Sequence, residues 1–177
     1  TVRIVYEGRA AKVLLNEAKL QEIEEYYKKC AIEGTNEYQI EESKRAVTQM
    51  EVILGDPKRL KLLAADFIEH YERKIEEGAS VKGKVMFVSS SRPIAYDLYK
   101  EIIALRPEWA EIRDCEEGAV LSEEEKQKLK PIEKIKMVMT RHKDDPKEMY
   151  DMLGTKEDRK ELDRQFKNEK SNFKIAM

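Results

Sequence analysis

Three short apolar runs separated by helical patterns constrain this chain more than any other feature. They are "KVMFV" at 84–88, "IKMVMT" at 135–140 and "FKIAM" at 173–177. Each has the length of a buried strand and too few residues for a buried helix. Between the first two, Ala95 to Leu105 carries a helical period that ends at "RPEW". Between the second and third, Pro146 to Leu153 reads as a short helix closed by Gly154, and Glu157 to Lys170 as a helix with Leu162 and Phe166 facing inward. Alternation of strand and helix is the pattern of a parallel sheet whose crossovers are helices. The expected fold class is therefore α/β, with a partial parallel sheet. The charged, turn-rich stretch "RDCEEGAVLSEEEKQKLKP" at 113–131 is expected to be a mobile or poorly packed connection.

The first half reads differently. "VRIVY" at 2–6 is a plausible short strand, and from Lys12 to about Gly78 helix formers dominate. Val13, Leu14, Leu20, Ile23, Tyr26 and Tyr27 approximate a 3.6-residue period, and Ile40, Ala46, Val47 and Met50 resume it after Gly34 and Asn36. "LGDP" at 54–57 stops that segment, with Asp56 as N-cap and Pro57 at the first helical position of the next. Leu60, Leu63, Phe67, Ile68 and Tyr71 mark that helix, which ends before Gly78. The expected organisation is a helical lead-in over 1–80, opened by the short strand, followed by an α/β portion over 81–177. The chain begins at Thr1 and stops within an apolar run at Met177, which suggests a piece of a larger protein.

Charged residues make up 40% of the chain and hydrophobic ones 41%, a balance that implies a modest core and an ionic surface. No apolar run is long enough to span a bilayer. Cys30 and Cys115 lie far apart without metal-ligand spacing, which fits a reduced, cytoplasmic setting. The formal charge of -2 exerts no global attraction for nucleic acid, so any such binding needs a local basic patch. His70 has no second ligand at metal spacing and reads as a packing or surface residue. There is no Gly-rich phosphate loop and no Ser/His/Asp set.

What remains is the segment "KVMFVSSSRPIAYDLYKEI". In open parallel sheets, ligands collect beyond the carboxyl ends of the strands. Ser89, Ser90, Ser91 and Arg92 fall there, where a helix N-terminus presents unpaired N–H groups. Hydroxyls, amides and a guanidinium form a phosphate-binding corner. The second strand delivers a comparable set in Thr140, Arg141, His142 and Lys143. The alternative is equally physical: serine is a common N-cap, Pro93 suits the first helical turn, and Arg92 is then a solvated surface residue.

The same segment resembles motif IV of superfamily 2 helicases, in their second RecA-like motor domain, and "DRKELDRQFKNEKSNFKIAM" resembles the helix and strand leading into motif V. "RIVYEGRAAKVLL", "NEYQIEESKRAV", "MEVILGDPKRL", "EKIKMVMTRHKDDPKEMYDMLGT" and "LDRQFKNEKSNFKIA", in that order, resemble the R subunit of type I restriction–modification enzymes. The resemblance implies an ATP-driven translocase and endonuclease acting on double-stranded DNA with modification and specificity subunits. It implies that ATP and Mg2+ are bound mainly outside this segment, which alone should be inactive. It also implies phosphate contacts at Ser89, Ser90, Ser91 and Arg92, and at Thr140, Arg141 and His142. A related translocase without a restriction partner is the alternative.

Overall fold

A computed structural model describes Glu25, residues 51–78 and residues 83–177. The chain divides into two units, Thr1–Arg59 and Leu60–Met177. In the first, Glu25 and residues 51–54 are helical. The expected strand at 2–6 and most of the helical pattern before residue 51 lie outside the described residues. At the unit's end, Asp56 caps the next helix as its sequence position predicts. Its Oδ1 accepts the Arg59 amide at 3.0 Å, and Arg59 Nη1 donates to the Leu54 carbonyl at 2.7 Å. That helix, α1, runs Pro57–Glu76.

The second unit is built on three parallel strands, β1 (Val85–Met86), β2 (Ile135–Lys136) and β3 (Ile175–Ala176), in the order β1-β3-β2. The register pairs Val85 and Ile135 with Ile175, and Met86 and Lys136 with Ala176. The strands are shorter than the apolar runs that produce them. The ladder nevertheless continues past their ends, with the Phe87 amide on the Ala176 carbonyl and the Val138 amide on that of Met177. The last strand in sequence is thus the middle strand in space. Every residue from Ser171 to Met177 is buried, as a central parallel strand requires. Lys174 is the charged residue of that run, and its ammonium is satisfied by the Glu116 carboxylate at 2.9 Å and the Glu169 carbonyl at 2.7 Å.

Helices supply the crossovers. After β1 comes α2 (Arg92–Leu105), which buries Ile94, Ala95, Leu98 and Ile102 on one stripe and Tyr96 on another side. Leu98 and Ile102 are fully buried, each contributing about 1.5–3 kcal/mol by transfer from water. A 3-10 turn, Pro107–Ala110, follows and seats Trp109 edge-on against Tyr71 of α1 at 5.4 Å. Lys134 lies over both rings, 5.0 Å from Trp109 and 5.3 Å from Tyr71, and burial lowers its pKa. Arg106 pairs with Glu72 of α1 through two contacts of 2.7 and 2.8 Å.

After β2 come α4 (Lys147–Met152) and α5 (Lys156–Lys167), with the short α3 (Glu123–Lys128) preceding β2. Gly154 adopts φ 65 between α4 and α5, a left-handed turn suited to glycine. Thr155 and Asp158 then form a capping box. Leu162 and Phe166 of α5 pack with Ile132, Phe173 and Ala176, as their spacing predicts.

The stretch 113–131 differs from expectation. It contains a capped helix, with Ser122 and Glu125 satisfying each other's amides. It is also tied to the chain before β3: the Glu116 amide donates to the Lys170 carbonyl, and Lys170 Nζ lies 2.6 Å from Glu125. The charges that read as a solvated loop are partners of Lys170 and Lys174, some fifty residues on, a pairing no local pattern reveals.

Candidate functional site

The carboxyl ends of β1 and β2 flank that of β3, and each leads into a loop before a helix. Ser89, Ser90, Ser91 and Arg92 line a cleft of about 510 Å³ at this edge, together with Met86, Val88, Val138 and Met139. Arg159 and Asp163 of α5 reach the same cleft. Its lining combines apolar side chains with three serines, two arginines and the Asp163 carboxylate.

Ser91 occupies the N-cap position of α2 with extended backbone, φ -148 and ψ 162, but its side chain makes no capping hydrogen bond. Only its carbonyl serves the helix, accepting the Ala95 amide at 3.0 Å. Pro93 removes one of the first-turn donors, while the amides of Arg92 and Ile94 have no partner within the helix itself. Elsewhere in the chain, Ser122 and Thr155 do cap their helices with their hydroxyls. Ser91 thus marks the start of α2 through its backbone and not through its hydroxyl.

Arg92 makes a two-point contact with Asp145: Nε to Oδ1 at 3.1 Å and Nη2 to Oδ2 at 2.5 Å. The carboxylate also accepts the His142 amide at 2.7 Å. The Arg92 guanidinium, followed by burial and the His142 amide, shifts the Asp145 pKa, with the net effect downward. Beside this pair, the Tyr96 hydroxyl donates to Glu148 at 3.1 Å. Arg92 and His142 also border a second groove, of about 810 Å³, between α2 and the loop entering α4. The two sequence-predicted clusters are thus joined through a carboxylate.

The remaining members of the second cluster are placed differently. Thr140 is exposed. Arg141 turns to the end of α4, donating from Nε to the Tyr150 carbonyl at 2.9 Å, with its guanidinium 4.7 Å from the Tyr150 ring. This arrangement satisfies a helix-terminal carbonyl and braces the loop. His142 is exposed, with Nδ1 3.3 Å from Asp144. Asp145, Arg159 and Asp163 were not singled out from the sequence. For Asp145 the available signal is an acidic residue before Pro146 in a loop rich in cations, "RHKDDP". His70, expected at the surface or in packing, is half-buried within α1, its Nδ1 3.4 Å from Arg73.

Among the described residues, no group of three or more His, Cys, Asp or Glu is placed to hold a metal ion, and no helix is long and apolar enough to cross a membrane. Cys115 is a half-buried free thiol.

No protein-family model matches the chain, and no solved structure matches it. Two curated relatives do. The type I restriction enzyme HindI endonuclease subunit of Haemophilus influenzae is 36% identical over 137 residues, which is 77% of this chain and 11% of that protein. The putative type I restriction enzyme MjaIXP endonuclease subunit of Methanocaldococcus jannaschii is 28% identical over 179 residues, covering 99% of this chain and 14% of that protein. The chain therefore spans a small part of the relatives' length. By this similarity it belongs, as such a segment, with the endonuclease subunits of type I restriction enzymes.

Proposed function

We propose that this segment opens the second motor domain of an ATP-dependent DNA translocase and endonuclease subunit, and that it grips the phosphate backbone of double-stranded DNA. The observation that carries the reading is the spare hydroxyl of Ser91, set at a strand end among Ser89, Ser90 and Arg92 and making no cap. Thr140 and His142 extend the contact from the neighbouring strand end, and Arg141 braces their loop against α4. Serine and threonine hydroxyls, helix-start amides and arginine are the groups that hold phosphates without reading bases. Backbone contacts of this kind suit a motor that tracks any sequence.

The sequence carries no glycine-rich phosphate loop of the kind that holds ATP with Mg2+. In this proposal both are bound by other parts of the parent subunit, which works with modification and specificity subunits in the cytoplasm. The segment alone is inactive, and its part is to hold DNA while the rest of the motor moves.

The test uses the full-length parent subunit assembled with its modification and specificity subunits. ATP hydrolysis is measured with linear duplex DNA that carries or lacks the recognition site. The expected result is site-dependent stimulation, weakened by Ser91→Ala and Thr140→Ala without loss of folding. Stimulation by any duplex with no need of partners would assign the chain to a translocase outside restriction. Unchanged DNA dependence in both variants would return the serines to a structural role.

A further inference from the structure

Asp145 links the two loops of the proposed interface, although a carboxylate is at first sight out of place beside a phosphate. Its side chain is only 6% exposed, while the Arg92 guanidinium it holds is 34% exposed. The acid is therefore the inner member of the pair and the cation the outer one. Three N–H groups converge on the carboxylate: Nε and Nη2 of Arg92 and the backbone amide of His142. They come from two different strand-end loops, 53 residues apart in sequence for the Arg92 contact. The contact uses one edge of the guanidinium, and none of the hydrogen bonds among the described residues uses Nη1.

We infer that Asp145 is a positioning residue for the DNA-backbone contact, holding Arg92 by its Nε–Nη2 edge so that the remaining donors meet a phosphate, and fixing the His142 loop beside it. The inference rests on the proposed DNA contact and adds a residue to it. A two-point carboxylate contact fixes the plane of a guanidinium, which a single contact does not. A guanidinium held in that way loses little freedom on meeting a second anion, so more of the contact appears as affinity. The same geometry allows a rival, in which Asp145 imitates a phosphate and masks Arg92 until DNA displaces it. The two differ in sign. Removing a positioning acid weakens DNA binding, whereas removing a mask strengthens it.

The experiment measures affinity for labelled linear duplex DNA across a salt series, using the full-length subunit assembled with its partner subunits. Unfolding temperature is recorded for each variant. Asp145→Asn is expected to weaken binding by about tenfold, the scale of one hydrogen bond to a charged group. Asp145→Glu, which keeps the charge, binds closer to wild type. Arg92→Ala loses the contact and leaves Asp145 uncompensated near the phosphate, so Arg92→Ala with Asp145→Asn should bind no more weakly than Arg92→Ala alone. Additive losses, wild-type affinity for Asp145→Asn, or tighter binding by it would each overturn the inference while leaving the DNA contact standing. Wild-type affinity for Arg92→Ala would overturn the Arg92 contact and the inference with it. If Asp145→Asn lowers the unfolding temperature, Arg92→Lys carries the comparison, because lysine keeps the charge but cannot make the two-point contact. It should then weaken binding as Asp145→Asn does, and wild-type affinity there would overturn the inference.

Discussion

Phe173→Ala is the sharpest test of how the sheet is held. Phe173 is 1% exposed, lies 5.1 Å from the Phe166 ring, and packs with Ile132, Leu162 and Ala176. A buried phenylalanine removes roughly 150–200 Å² from water, which at about 25 cal/mol per Å² amounts to about 4–5 kcal/mol for the whole side chain. Alanine retains part of that, but the ring leaves a cavity that α5 cannot fill without leaving Phe166 unsupported. The expected loss is therefore about 3–5 kcal/mol. Phe173→Leu restores most of the volume without the ring pair and should cost about 1–2 kcal/mol. Urea unfolding followed by tryptophan fluorescence gives a direct assay, since Trp109 is the chain's single tryptophan and is buried in the same unit. With a slope of about 2 kcal/mol per molar, Phe173→Ala should lower the midpoint by about 2 M. A shift under about 0.5 M at unchanged slope would mean that α5 does not close over the strand, and would refute this account of the core. Val88→Ala is the control: Val88 is 83% exposed, and its loss should stay within about 0.5 kcal/mol.

Three further outcomes are expected from the same unfolding assay. Thr155→Ala removes the hydroxyl that accepts the Asp158 amide and should cost about 1 kcal/mol, whereas Ser91→Ala, which removes no cap, should change stability by no more than about 0.5 kcal/mol; equal losses would show that Ser91 does cap α2. Gly154→Ala places a Cβ 2.9 Å from the Asp158 side chain at φ 65, so a loss of about 1–2 kcal/mol is expected from the left-handed backbone alone, and a neutral result would place the α4–α5 turn in another conformation. The folded-state pKa of Asp145 is lowered chiefly by Arg92, and that of Glu125 falls from 4.5 to about 2, chiefly through Lys170. Each group is thus ionised more readily folded than unfolded. Its stabilisation is present above the ordinary carboxylate range and is lost as pH falls through the folded value, in Glu125 between about 4.5 and 2. A midpoint that stays flat on acidification, or Lys170→Ala with wild-type acid sensitivity, would refute this.

Some of this protein is legible from its residues alone, because the forces involved act within a few positions. Asp56 and Pro57 start α1 where the dipeptide predicts, since capping and proline's fixed φ are local. Gly154 stops α4 because only a left-handed residue turns the chain there. The inward faces of α2 and α5 follow from the helical period. Alternation of apolar runs and helices points to a parallel sheet, and the cluster of hydroxyls and cations at two strand ends is visible as plain sequence.

Other features depend on which distant segments meet, and tertiary structure decided those. Period-two and apolar-run patterns say that a strand is buried but not beside which strand, so nothing local places β3 between β1 and β2. The run 113–131 reads as solvent-exposed charge until Lys170 and Lys174 are brought against Glu125 and Glu116. The choice between a capping and a spare Ser91 turns on where one hydroxyl points, which residue type leaves open. Asp145 is one acid among many in a chain where two residues in five are charged. It becomes the partner of Arg92 only because parallel strands deliver both of their following loops to the same edge of the sheet.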